Sequence, residues 1–150
     1  MSRADDLLTT VDAAAARLHT VSDARASVRP RSDAWSAKEI LGHLVDSAAN
    51  NHQRFVRALH SSELHFPGYE PDEWLRVQAW SARPWTEVIE FWRLFNHHVS
   101  HIIRHVPATA LPTPCHIGHG EPVTLGFLID DYFAHLAHHL RQIDERLEQA

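Results

Sequence analysis

Hydrophobic residues recur at three- and four-residue spacing along four long stretches of the chain. The first runs roughly from Ser2 to His19, with Leu7, Leu8, Val11, Ala14, Ala15 and Leu18 on one stripe. The second opens at Ser36 and aligns Ile40, Leu41, Leu44, Ala48, Phe55 and Leu59. The third starts near Pro84 and ends near Val106, with Trp85, Val88, Ile89, Trp92, Phe95, Val99, Ile102 and Ile103 in register. The fourth runs from Thr124 to about Gln149 and aligns Leu125, Ile129, Tyr132, Leu136, Leu140, Ile143 and Leu147. This is the period of an amphipathic helix, not of a strand.

Local signals mark where these helices begin. "SAKE" at Ser36–Glu39 is a capping box, in which each side chain takes a backbone proton from the other residue. Pro84 suits a first helical position, and Thr124 suits a cap. Between the helices lie three links. "SDARASVRPRSDAW" is rich in Ser, Arg and Pro. "SSELHFPGYEPDEWLRVQAWSAR" is broken into turns, with a short helix over "PDEWLRVQ". "PATALPTPCHIGHGEP" cannot be helical, because four prolines fix φ and remove donors. Four amphipathic helices of about 20 residues pair their stripes most simply as a bundle. The expected fold is all-α, a four-helix bundle forming a single domain over residues 1–150. The long link after the second helix permits an order other than simple alternation of up and down.

Composition narrows the function. The formal net charge is −5 and no basic run is present, which argues against nucleic acid as a partner. No stretch approaches the ~20 apolar residues of a membrane span. The first 19 residues have early acids and lack a signal-peptide core. The single cysteine, Cys115, suits a reducing compartment, so the expected location is the cytoplasm. The unusual number is 14 histidines.

Spacing alone says little about so many histidines, since about one His-x-x-x-His pair arises by chance in such a sequence. Position around each helix says more. His135 and His139 lie one turn apart on one margin of the last stripe, with Leu128 between them and Gln142 beside them. His138 projects outward, toward the side of Asp131. On the second helix, His43, Ser47, Asn50 and Arg54 form a polar strip beside the apolar one. A half-buried polar strip is costly unless something satisfies it. A lone inward histidine is ordinarily a hydrogen-bonded core residue, but a third imidazole from a second helix would complete a three-His metal site. On the third helix, His97, His101 and His105 lie opposite the stripe and His98 lies off it, so all four belong on the surface. "CHIGH" offers a rival set, Cys115, His116 and His119, which lacks a fourth partner; Cys115 otherwise reads as a buried or half-buried loop thiol.

Three segments together resemble the DinB/YfiT-like superfamily: "WSAKEILGHLVDSAANNHQRF", "FPGYEPDEW" and "TLGFLIDDYFAHLAHHLRQI". The resemblance extends from Trp35 to Ile143 and is nearest to the YfiT type, which includes bacillithiol S-transferases. It implies an up-down-down-up four-helix bundle and a divalent metal (zinc, nickel, manganese or iron) held by His43, His135 and His139. It also implies a homodimer.

Such a site readies a small thiol or water for attack, since the metal lowers the pKa of either. The first expectation is a metal-dependent S-transferase that joins a low-molecular-weight thiol, such as bacillithiol, to a small electrophile. Arg54 would neutralise a carboxylate on a substrate, or else form an ion pair between helices. Tyr69 and Trp74 would cover the site, or else pack their loop onto the bundle. Asp46 would orient a ligand, or else be a solvated acid. The alternatives are a metal-dependent hydrolase and a non-catalytic bundle with a structural metal. No acid lies clearly on the inward strips, which mildly favours the thiol.

Overall fold

The computed structural model describes residues 2–150. Four long helices form where the apolar stripes run: α1 (Arg3–Leu18), α3 (Ala37–Leu59), α5 (Trp85–Arg104) and α6 (Leu125–Glu148). Two short ones, α2 (Asp23–Ala26) and α4 (Pro71–Gln78), sit in the links. The starts follow their capping chemistry. Ser36 Oγ accepts the Glu39 amide proton at 3.2 Å, and Glu39 Oε1 accepts the Ser36 amide proton at 3.1 Å. Ser2 and Asp5 form the same box on α1, and Thr124 caps α6 through the Phe127 amide. Pro84 lies just before α5 rather than inside it, which removes the same amide from the ladder.

Contacts between helices fix their directions. Arg3 pairs with Asp130 and Arg17 with Asp144, so α1 and α6 run the same way. Asp5 pairs with Arg104 and His19 with Glu90, so α1 and α5 run oppositely. Asp23 binds Lys38 Nζ and the Trp85 amide, which brings the starts of α3 and α5 together. Farther along, the rings of His52 and His98 lie 5.3 Å apart. Arg146 reaches the carbonyl of Trp35, and Phe55 packs edge-on against Tyr132, so α3 and α6 are antiparallel. The stripes meet in a core whose largest fully buried side chains include Trp85, Trp92, Phe55, Leu41 and Leu136.

The expectation of an all-α chain needs one correction. Two of the links contribute to a small sheet, β1 (Leu64–Phe66), β2 (Pro114–Ile117) and β3 (Val123–Thr124), in the order β1-β2-β3. β1 pairs parallel to β2 with Leu64 opposite Cys115 and His65 opposite His116; β2 pairs antiparallel to β3. Gly118, at φ +59, makes the turn out of β2 in the left-handed region that glycine enters freely. The prolines that bar an α-helix here do not bar β2, the middle strand, because Pro114 is its first residue. Among the described residues, no helix is long and apolar enough to cross a membrane.

Candidate metal centre

α3 and α6 face each other along the polar strip of the first and the His margin of the second. His43 Nε2 lies 3.3 Å from His135 Nε2, and His135 Nε2 lies 3.0 Å from His139 Nε2. One nitrogen from each ring falls within 4.8 Å of the other two. His43 is 4% exposed, and the two α6 histidines are half-buried. Burial pushes the His43 pKa down to about 3, with the charges of His139 and His135 adding to the shift. Burial likewise takes His135 down to about 4, with His139 next in effect and Asp131 working the other way. His139 is also lowered by burial, against the pull of its hydrogen bond to Gln142. All three imidazoles are therefore neutral at pH 7.

The protons of this cluster cannot all be placed well. His139 Nδ1–H donates to Gln142 Oε1 at 2.8 Å, which leaves the His139 Nε2 lone pair facing inward. If His135 donates to that lone pair, it has no lone pair of its own for a proton from His43. His43 Nδ1 is buried without a partner. Three inward lone pairs with too few protons between them are a mismatch that a cation removes. The donor set thus fits a divalent metal.

The surroundings of the cluster combine expected and unexpected residues. His138 is exposed, as its helix face predicted. His98, His101 and His105 are exposed and His97 pairs with Asp12, so the α5 histidines gather no inward site. Trp35 was not singled out in the sequence, yet its ring packs 5.2 Å from that of His43. Its indole N–H donates to Asp72 at the start of α4. An aromatic residue directly before a capping serine is the available signal, since that position packs back onto the helix it precedes.

Asp46 is only 2% exposed, so it is not the solvated acid considered above. It accepts from Gln78 Nε2 at 2.8 Å and from Trp80 Nε1 at 3.3 Å, and so fastens the α4 link to α3. Burial raises its pKa, and these neutral donors oppose the rise.

Arg54 is half-buried, its Nε has no partner, and its guanidinium lies 5.9 Å from the Phe66 ring centre. Burial lowers its pKa, while the charges of Tyr69 and Asp131 work the other way. Tyr69 is raised by burial and then by Asp46, with Arg54 and Ser47 opposing. Tyr69 therefore sits over the polar strip of α3. Trp74 touches it, with ring centres 5.0 Å apart. Both line a cleft of about 460 Å³ with Asn50, His52, Phe66 and Phe95. The three clustered histidines are not in the wall of that cleft.

The Cys115, His116 and His119 set does not assemble. Cys115 is fully buried with its thiol toward the Thr113 carbonyl, whereas His116 turns outward to Glu63. Alternation along β2 puts neighbouring side chains on opposite faces.

A helical bundle with imidazoles converging from two antiparallel helices defines a recognisable class. Residues 6–143 match the DinB superfamily, and the chain belongs to it. Among solved structures it is similar to YfiT from Bacillus subtilis, at 18% identity and a TM-score of 0.80. The match covers 97% of this chain and 86% of that one. YfiT is described as "a probable metal-dependent hydrolase with an unusual four-helix bundle topology". No curated protein matches the chain.

Proposed function

We propose that this chain is a divalent-metal-dependent enzyme in which His43, His135 and His139 hold the cation. The observation that carries this reading is the convergence of their three nitrogens with too few protons between them. The helix directions support the up-down-down-up order expected of the family. Three neutral nitrogen donors suit zinc or nickel better than calcium or magnesium. A cation bound there supplies Lewis acidity that lowers the pKa of a small thiol or of water.

The favoured reaction is S-transfer from a low-molecular-weight thiol of the bacillithiol type. The thiol sulfur forms a bond to an electrophilic carbon, the leaving group departs with its electron pair, and the thiol proton passes to solvent. The chain needs no cysteine nucleophile for this, and its single thiol is buried and directed at the Thr113 carbonyl. Arg54, half-buried with its inner Nε unpartnered, holds a carboxylate of the thiol or electrophile through the outer end of its guanidinium. Tyr69 roofs the strip beside it, and Trp74 braces Tyr69. Asp46 is already held by Gln78 and Trp80, which leaves it poorly placed to take a proton from water.

Hydrolysis is the second reading. It is favoured by Asp131, an exposed acid one turn before His135 whose charge acts on both His135 and Arg54. Asp131 would accept the proton of an attacking water.

Cobalt-loaded protein titrated with a small thiol separates the two. A change in the visible spectrum, with thiol-transfer activity that survives Asp131→Asn, supports S-transfer. Hydrolytic activity abolished by Asp131→Asn supports the second reading. Wild-type protein that takes up no zinc, nickel, manganese or cobalt overturns both.

A further inference from the structure

We propose that Glu63, His65 and His116 form a second transition-metal site, on the outer face of the small sheet. It is built by strand register. Leu64 and Cys115 lie opposite each other and point into the core, at 3% and 0% exposure. The next residue on each strand must point outward, which puts His65 and His116 side by side on the open face. Their rings are stacked at 4.4 Å with 4° between the planes. Glu63 Oε1 lies 3.0 Å from His65 Nε2 and 2.5 Å from His116 Nε2. One ligand atom from each residue falls within 4.8 Å of the others.

Two imidazoles and one carboxylate are a common zinc ligand set that leaves a fourth position open. A tetrahedral ion with ligands at about 2.1 Å spaces them about 3.4 Å apart. The Glu63 contacts open to that spacing by side-chain rotation, because His65 is 70% and Glu63 47% exposed. Zinc, nickel or copper(II) fits these donors; calcium and magnesium do not. The open position faces a cleft of about 750 Å³ whose wall includes His65, His116, His119, Tyr69 and Glu70. A water or a small anion from solution supplies the fourth ligand there. An ion at this place cross-links β1 to β2, and so fixes the link that carries Tyr69.

The site is independent of the histidines between α3 and α6, and zinc stoichiometry tests it without an activity assay. The full chain is dialysed against zinc in modest excess, and bound metal is counted by elemental mass spectrometry. Wild type and a His101→Ala/His105→Ala control are expected to hold two equivalents. His65→Ala/His116→Ala and His135→Ala/His139→Ala each hold one, and the quadruple variant holds none. The conservative Glu63→Gln weakens the sheet step by about tenfold or more, at least what loss of an outer partner costs elsewhere. A His65→Ala/His116→Ala variant that holds as much zinc as wild type overturns the proposal. So does a His135→Ala/His139→Ala variant that holds none while remaining helical by circular dichroism. One equivalent in wild type, lost only with the sheet variant, supports this site and removes the one between the helices.

Discussion

Gln142 Oε1 accepts the Nδ1–H of His139 across 2.8 Å, three residues further along α6. That bond fixes the tautomer of His139 and turns its Nε2 lone pair toward His135 and His43. A partner of this kind commonly changes metal affinity by about 10–100-fold. Gln142→Leu is therefore expected to weaken zinc or nickel binding by that order while leaving helix content unchanged. Competition against a chromophoric chelator measures it, and wild-type affinity in the variant would remove the orienting role.

Trp35 provides an optical report on the same place. Its ring lies 5.2 Å from the His43 ring and is held by Asp72. Binding of nickel between the helices is expected to quench tryptophan emission, and Trp35→Phe should remove most of that quench. Equal quenching in the variant would place the bound ion elsewhere.

Gly42 is a packing glycine beside His43. A Cβ there would lie 2.6 Å from Trp80 Cγ and 2.8 Å from its Cδ2. Trp80 cannot easily retreat, because its N–H is bonded to the buried carboxylate of Asp46. Gly42→Ala is expected to destabilise the bundle by about 1–3 kcal/mol, the usual range for overpacking. Chemical denaturation gives the value; no change would mean that the link carrying Trp80 yields freely.

Tyr132 donates to Asn96 Oδ1 at 2.5 Å in the middle of the bundle, and Asn96 is fully buried. Tyr132→Phe leaves that acceptor without a donor, at a cost of about 1–3 kcal/mol. Asn96→Leu in the same background should return part of the loss, which a double-mutant cycle would reveal.

Asp23 sets an acid limit on stability. Lys38 and the Trp85 amide hold its pKa below the ordinary 3.8. A depressed carboxylate contributes stability that is complete above its unfolded pKa and is lost as pH falls through the folded value. The loss of melting temperature on acidification begins near pH 6.5, where His43 and His135, held neutral by burial, take up protons on unfolding, and the Asp23 contribution is lost in addition below about pH 4. Asp23→Asn is expected to lower stability at neutral pH, since Lys38 is 4% exposed and would lose its partner, and to flatten that acid limb. An acid limb as steep as that of wild type would assign it to other groups.

The long helices were legible because each carries its own period, and all but α5, which follows Pro84, carry a side-chain cap as well. The faces of His43, His135 and His139 were legible for the same reason: helical geometry puts them on the margins that meet between α3 and α6, and it set His138 apart. Asp46 was not, because its burial depends on where Gln78 and Trp80 fold back from a link without periodicity. The sheet was not either. Strands of two to four residues leave no alternation to read, and β1 meets β2 across some fifty residues of chain. The pairing of Glu63 and His65 with His116 therefore exists only in the register. A linear reading grouped His116 with its neighbour Cys115, which the strand turns to the opposite face.

That pairing also bears on how the molecule opens. The contact between β1 and β2 closes a long loop of chain, while adding only a short run of pairs of which Leu64 with Cys115 alone is fully buried. Such a closure forms late in folding and is among the first to break, because little buried area opposes the entropy regained. The helices on either side have their own core and do not depend on it. Amide exchange should show Leu64–Phe66 and Pro114–Ile117 opening locally while α3 and α6 stay protected. The segment that carries Tyr69 could then swing away and return many times in the life of one folded chain.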